Sequence, residues 1–435
     1  MLRRIRIENF KCLEDTKDME IRPITFLVGP NSSGKSSVLQ AISALEQTVE
    51  SGDQKSPLIL RGYVDLGSYK DVVFEHDTKK NIKIHLEDSN LNKWSVAYSV
   101  QEKGRTAGQI FVESFEFEFS AKRDDTYFYA FFSKDKDHIA IPRKLEIVRE
   151  QNQSSYEIRF EGKEKNSYKS FTLNKFYIFS PAKFSTPPKE EEVILLLNLD
   201  RTIESSIWEL FTYIYNIGPL RSEPERVYSA SGASPHYVGK YGQWTIDMIQ
   251  NDRDLRNKVK TWLERFKISS DFSLKELKKG SERYEVVLKD YFTNTEVNLV
   301  DVGFGTSQIL PIIVQGFISP ENATLLIEQP EIHLHPKAQC VMGDLLVDIA
   351  KMNRRLIIET HSDILIERVC KHILYKDENE KINPEDIIIY YFEPTEKGTA
   401  IRTITVNENA QFENFPEGFF EERFEEALER AELME

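Results

Sequence analysis

Ile24-Thr25-Phe26-Leu27-Val28-Gly29-Pro30-Asn31-Ser32-Ser33-Gly34-Lys35-Ser36-Ser37 decides how this chain is read. The first five residues predict a buried strand, and Gly29 to Ser36 satisfies the phosphate-loop pattern G-x-x-x-x-G-K-[ST]. Beyond it, Val38, Leu39, Ile42 and Leu45 recur at helical spacing, so residues 36–46 predict an amphipathic helix. Glycines let the backbone wrap phosphates, while successive N–H groups and the helix start supply positive potential. Lys35 is expected to reach the β- and γ-phosphates and the Ser36 hydroxyl to ligate Mg²⁺. Gly29, Asn31, Ser32, Ser33, Gly34 and Ser37 complete the expected nucleotide contacts. The plain alternative is a Gly-Ser turn before a helix, and the agreement of strand, loop, lysine and helix outweighs it.

Three further motifs follow near the other end. Thr324-Leu325-Leu326-Ile327-Glu328 predicts a buried strand ending in a carboxylate, a hard oxygen donor that suits Mg²⁺. About 20 residues earlier, Gly303-Phe304-Gly305-Thr306-Ser307 precedes an apolar helix over 309–317. Free N–H groups at such a start can hold phosphate, although an isolated glycine turn would read as packing alone. Arg355-Leu356-Ile357-Ile358-Glu359-Thr360-His361-Ser362 is a buried strand followed by an imidazole placed to report on phosphate. His333 and His335 form a His-x-His pair, which reads as loop packing rather than zinc ligation.

Composition limits what else the chain can be. Its 435 residues, 40% hydrophobic with 27 Phe and 18 Tyr, can bury substantial cores and do not suit disorder. No apolar run nears the roughly 20 residues of a membrane helix, and the first residues run straight into strand-like alternation, so neither membrane nor signal peptide is expected. Cys12, Cys340 and Cys370 form no CxxC pair, which fits reduced thiols in a cytoplasmic protein. A net charge of −14 disfavours nucleic-acid binding over the whole surface but leaves a local basic patch open.

Between the motif-bearing ends the pattern changes. Alternating runs at 82–86, 94–100, 112–119, 127–132 and 156–160 predict antiparallel strands. Residues 203–217 read as a helix stopped by Gly218-Pro219, residues 254–266 as a second helix, and 272–288 as returning strands. After Asp301, helix and buried strand alternate as in a mostly parallel α/β sheet. Phe420, Phe424 and Leu428 predict a closing helix in an acidic tail. The expected division is therefore 1–80 (P-loop half of an ATPase head), 81–295 (β-rich and helical insertion), 296–392 (second half) and 393–435 (extension).

The four motifs, in this order, resemble the ABC-type ATPase heads of the SMC, RecF and OLD (overcoming lysogenization defect) group, above all its prokaryotic stand-alone AAA family ATPases. Ile7-Glu8-Asn9-Phe10-Lys11, Leu66-Gly67-Ser68-Tyr69-Lys70-Asp71, Ile217-Gly218-Pro219-Leu220-Arg221 and Phe415-Pro416-Glu417-Gly418-Phe419-Phe420 extend the likeness over nearly the whole chain. The resemblance implies an α/β P-loop NTPase, an ABC-type head of two lobes with an antiparallel and helical insertion. Such heads dimerise head to tail around two ATP molecules. Gly303, Gly305, Thr306 and Ser307 would then form the signature clamp on the partner's γ-phosphate. His361 would match the switch histidine, and Asn9 to Lys11 would approach the base or ribose. A glutamine for the Q-loop is not evident, and residues 66–74 are where it is sought.

One departure bears on catalysis. Transporter-type heads follow the metal carboxylate with a catalytic glutamate, whereas this chain has Gln329. An amide is no carboxylate base, and such a loss typically costs on the order of 10²–10⁴ in rate. Either Glu331 takes the role or ATP turns over slowly, and Lys35, Gln329, Glu331 and His361 are the residues expected to act on the reaction. A TOPRIM nuclease is not expected: 387–392 could pass for its first strand, but no Asp-x-Asp follows. The resemblance implies an ATP hydrolase that works with copies of itself and a separate effector, such as a nuclease or toxin, in defence against phage or plasmids. The alternative is a RecF-like ATPase that itself binds DNA or RNA.

Overall fold

Ile24–Val28 is buried at every position, which a strand achieves only when both faces of its sheet are covered. It sits in a seven-stranded sheet ordered Ile214–Ile217, Thr324–Glu328, Arg355–Glu359, Ile24–Val28, Ile387–Thr395, Gly398–Val406 and Phe412–Glu413. The first five strands pair in parallel. This computed structural model describes residues 1–53, 56–102, 107–118, 144–149, 156–161, 166–174, 178–180, 190–229 and 235–415, with side chains described outside 119–200.

Contacts divide the chain into two units: 1–20 with 37–212 and 395–399, and 21–36 with 213–394 and 400–435. In the second unit, one face of the parallel sheet (Phe26, Leu325, Ile327, Leu356, Ile358, Ile389) packs into a core with residues of the helices Arg253–Arg265, Gly305–Ile318, Pro336–Lys351 and Asp363–Lys371. Polar caps hold several of these helices: Asp252 accepts from the N–H groups of Asp254 and Leu255, and Ser362 from that of Leu365. A small antiparallel sheet, built on Ser269–Glu276 and Arg283–Asp290, adds Phe272, Tyr284, Val286 and Leu288 to the same core.

The first unit carries an antiparallel sheet of ten strands. Leu2–Phe10, Ile82–Asp88, Lys93–Val100 and Ile110–Glu118 pair in succession, and Lys144–Arg149, Tyr156–Glu161, Asn166–Asn174 and Ile178–Ser180 continue it. The opening strand buries Leu2, Ile5, Ile7 and Phe10. The expected α/β fold with its antiparallel component is therefore present.

Several boundaries move. Residues 203–217 are not one helix: the helix Glu190–Phe211 stops, and Ile214–Ile217 becomes a buried strand. Its β-favouring residues pair in parallel with Thr324–Ile327, so tertiary pairing overrides the helical spacing. Strand pairing also carries the opening residues 2–10 into the antiparallel sheet, and residues 213–295, expected in an insertion, contribute strand, helices and core to the unit of the parallel sheet. Residues 387–392 extend that sheet beside Ile24–Val28. The runs at 127–132 and the helix expected through Phe420, Phe424 and Leu428 lie outside the described residues. Among described residues, no helix is long and apolar enough to cross a membrane, and Cys12, Cys340 and Cys370 are free thiols.

A buried acid in the first unit gives a stability test. Glu46, on the helix Lys35–Glu50, is 7% exposed, and burial, reinforced by Glu50, pushes its carboxyl up to about 10. The folded chain therefore keeps a proton that the unfolded chain loses above about pH 4.5. This group's contribution is fullest below that pH and is lost as pH rises towards 10. Glu46→Gln is expected to stabilise the protein at pH 8 by about 1–3 kcal/mol while changing little at pH 4. Urea unfolding at the two pH values checks this; an equal offset at both would contradict it.

Candidate functional site: the carboxyl edge of the parallel sheet

The turn after Ile24–Val28 takes a path that few side chains allow. Gly29 has φ +137°, Ser32 +62° and Gly34 +100°. A Cβ on Gly29 would lie 2.3 Å from the Phe392 carbonyl oxygen, so glycine is required there by both conformation and space. The helix Lys35–Glu50 begins at once, which aims its free N–H groups at the loop. Asn31 and Ser32 are exposed, whereas Ser33, Gly34, Lys35 and Ser37 are buried. The Lys35 ammonium donates to the carbonyls of Gly29 at 2.9 Å and Pro30 at 2.7 Å. Burial lowers its pKa, and Glu359 raises it again in part. Ser37 lies 4.0 Å through its hydroxyl from the Cys12 thiol.

Two further strand ends lie at the same edge. Arg355–Glu359 lies between Ile24–Val28 and Thr324–Glu328, with Glu328 and Glu359 in register. The turns are stitched together by Gln329 N–H donating to the Glu359 carbonyl at 2.8 Å and Thr360 N–H to that of Leu27 at 3.2 Å. The Ser36 hydroxyl donates to Glu359 Oε1 at 2.9 Å. Burial raises the Glu359 carboxyl, while Ser36 and Lys35 pull it down. Glu328 is pushed up to about 7, first by burial and then by the charge of Glu359, against the pull of Lys240 and Arg221.

Glu331 is oriented from the neighbouring strand end, where the His361 N–H donates to its Oε1 at 2.8 Å. Burial raises its carboxyl, while hydrogen bonds from the His361 N–H, its own N–H and the Thr360 hydroxyl, with the charge of Arg221, pull it down. Gln329 turns the chain at φ +44°. The His361 ring is exposed, and partial desolvation followed by the nearby Lys35 charge lowers its pKa, which favours neutral imidazole. The sequence-predicted Lys35, Ser36, Glu328, Gln329, Glu331 and His361 thus converge on one edge.

The glycine turn packs against the loop that follows Glu331. A Cβ on Gly305 would come within 2.9 Å of the His333 carbonyl oxygen, and the Phe304 ring meets His333 edge to face at 4.9 Å. Thr306 and Ser307 are buried, and the Ser307 hydroxyl donates to the Phe304 carbonyl at 2.8 Å. Gly303 stands in open space. His335 caps the next helix by accepting from Lys337 N–H, and no group of three or more metal-binding His, Cys, Asp and Glu occurs among described residues. In the other unit, Asn9 donates to the Asn81 carbonyl and Lys11 to Gln40, and residues 66–74 form a short capped helix and turn without glutamine.

Sequence reasoning missed two participants. Glu359 ends its strand just as Glu328 ends the next, so the rule applied to Glu328 could have found it. Arg221 carried no assigned role, yet it is 3% exposed and its guanidinium donates to the Glu328 carbonyl at 2.7 Å. Its backbone N–H and carbonyl pair with the Gln308 amide, beside Ser307. Burial lowers its pKa to about 10, opposed by the charges of Glu331 and Glu328. Arg221→Met is expected to cost about 1.5–3 kcal/mol, the scale of a charged hydrogen bond, in denaturant unfolding. A change below about 0.5 kcal/mol would show that Arg221 does not brace this edge.

Comparison with known proteins adds the following. A family model described as an AAA ATPase domain matches residues 1–366, and one described as a protein of unknown function (DUF3696) matches 382–429. An OLD nuclease of Thermus scotoductus is 50% identical over 42 residues, 10% of this chain; the match spans only 8% of that relative's length. Similar solved structures include an SMC head domain from Thermotoga maritima (10% identity, 92% of this chain and 98% of that one, TM-score 0.36). Another is an Smc head bound to the C-terminal winged-helix domain of ScpA (9% identity, 94% and 98%, TM-score 0.41).

Proposed function

This chain belongs to the AAA ATPase domain family, with the kinship to the SMC, RecF and OLD group expected from its motifs, and on that premise we propose that it binds ATP with Mg²⁺ and hydrolyses it slowly. The observation that carries this reading is the loop from Gly29 to Lys35: left-handed at three positions, closed by a helix start, with an ammonium bonded only to main-chain carbonyls. Polyphosphate fits this cradle because it accepts hydrogen bonds from N–H groups and from Lys35.

Ser36 and Glu328 are the residues to hold Mg²⁺, and the buried, negatively charged oxygens at this edge suit a hard cation. Bound there, the ion would neutralise charge on the phosphate oxygens. Glu331 is the base of choice: the His361 N–H and the Thr360 hydroxyl orient its carboxylate, which can accept a proton from water. Gln329 orients without accepting a proton. A raised carboxyl pKa is what a general base near neutral pH needs. His361, neutral and exposed, can donate to a phosphate oxygen.

A second copy completes the working form, docking head to tail with Gly303 and the turn before Gly305–Ile318 over the nucleotide, and a separate effector protein in cellular defence receives the output. Supporting this is the openness of Gly303 beside the exposed Phe304, while Gly305 is committed to packing within its own chain.

Lys35→Ala is expected to weaken MgATP binding at least tenfold in calorimetry; unchanged affinity removes the nucleotide reading. Glu331→Gln should slow phosphate release by about 10²–10⁴-fold with ATP affinity retained, and an unaltered rate moves the base elsewhere. Gly303→Asp should abolish ATP-dependent dimers in light scattering while the monomer still takes up ATP; dimers that persist reject the head-to-tail clamp.

A further inference from the structure

The Ser36 hydroxyl has one proton and two lone pairs, and the proton is directed to Glu359 Oε1 at 2.9 Å. That bond fixes the hydroxyl with both lone pairs free. Glu359 is 5% exposed, yet its second oxygen, Oε2, is buried with no hydrogen-bond partner. A buried acceptor left bare costs free energy unless something outside the chain satisfies it. Lys35 acts on it through charge and makes no hydrogen bond to it, its ammonium donating to the carbonyls of Gly29 and Pro30.

Glu328 stands in register with Glu359 on the adjacent parallel strand, at a strand spacing of about 4.8 Å, so both carboxylates leave the same edge side by side. Two carboxylates and one hydroxyl are all oxygen donors, a set that selects Mg²⁺ or Mn²⁺ over thiophilic metals. We propose that Glu359 is a metal-facing carboxylate of the divalent-cation site, fixing Ser36 through Oε1 and offering Oε2 to the cation or to its water. The proposal rests on the nucleotide reading above and extends it, because the cation is held from two strands rather than by Glu328 alone. Ser36 is then a ligand oriented by the protein before nucleotide arrives.

The test is Mn²⁺ binding to the full-length protein, read by the loss of free-Mn²⁺ electron paramagnetic resonance signal, without nucleotide and with saturating ADP. Calorimetry in EDTA measures ADP affinity separately. Glu359→Gln keeps the shape and an acceptor for Ser36 but removes the charge. Mn²⁺ affinity is expected to fall 10- to 100-fold, as for loss of a group supporting a metal ligand, while ADP affinity in EDTA does not fall, since a negative charge beside the phosphates has been removed. Glu328→Gln should show the same pattern. A Glu359→Gln protein that keeps wild-type Mn²⁺ affinity overturns the proposal, as does a wild type that binds ADP but retains no Mn²⁺. If wild type binds Mn²⁺ through Glu359 but no ADP, the nucleotide reading fails and the metal site stands. Thermal melting in EDTA guards against misfolding: should Glu359→Gln melt early, Glu359→Asp replaces it, with weakened Mn²⁺ binding and unchanged ADP affinity as the supporting result and unchanged Mn²⁺ affinity as the overturning one.

Discussion

Parallel pairing of Arg355–Glu359 between Ile24–Val28 and Thr324–Glu328 is the constraint on which the rest of the site depends. It brings residues more than 300 positions apart within a hydrogen bond, as Ser36 and Glu359 show. Because parallel strands end on the same side, each contributes its carboxyl-terminal residue to one edge. A phosphate loop, two acids and an imidazole-bearing turn follow from that single arrangement. The apolar interiors of these strands make it rigid, since every residue of Leu325–Ile327 and Leu356–Ile358 is fully buried.

The edge carries an electrostatic imbalance. Glu328, Glu331 and Glu359 are all raised chiefly by burial. Of the nearby cations, Lys35 is bonded to two loop carbonyls and Arg221 to the Glu328 carbonyl, so these two and Lys240 act on the acids through charge alone. Arg221 therefore offsets negative charge at a distance while bracing main chain, and through the Gln308 amide it fixes the helix that starts at Gly305. Buried acids under such conditions favour either a proton or a cation, and both reduce the repulsion between Glu328 and Glu359. A polar network left partly unsatisfied is costly to a fold, and the cation proposed above would satisfy it.

The sequence made this edge legible to an uneven degree. The phosphate loop was readable because glycine spacing, lysine and the following helix are local features, and the strands at 324–328 and 355–359 because their apolar runs end in Glu. Glu359 ends its strand as Glu328 does, but the order of strands that sets the two side by side is not written in either segment. Arg221 was opaque for a related reason: its partners, Gln308 and the Glu328 carbonyl, are defined only after folding. The strand Ile214–Ile217 was lost to a helical reading because its four buried residues acquire meaning only beside Thr324–Ile327. Local chemistry could be read; pairing between distant segments could not.

The glycine turn shows how a motif can hold two unlike requirements. Gly305 is fixed by its own chain, because any side chain would press on the His333 carbonyl oxygen. Gly303 meets nothing within 4 Å, so packing inside the chain gives no reason for glycine there. An exposed glycine loses more backbone freedom on folding than any other residue, a cost that nothing in the surrounding contacts returns. Beside it Phe304 leaves 40% of its surface exposed, one ring edge on His333 and the remainder outward. Packing within the monomer thus accounts for glycine at 305 but not at 303, where the clamp proposed above would give it a reason.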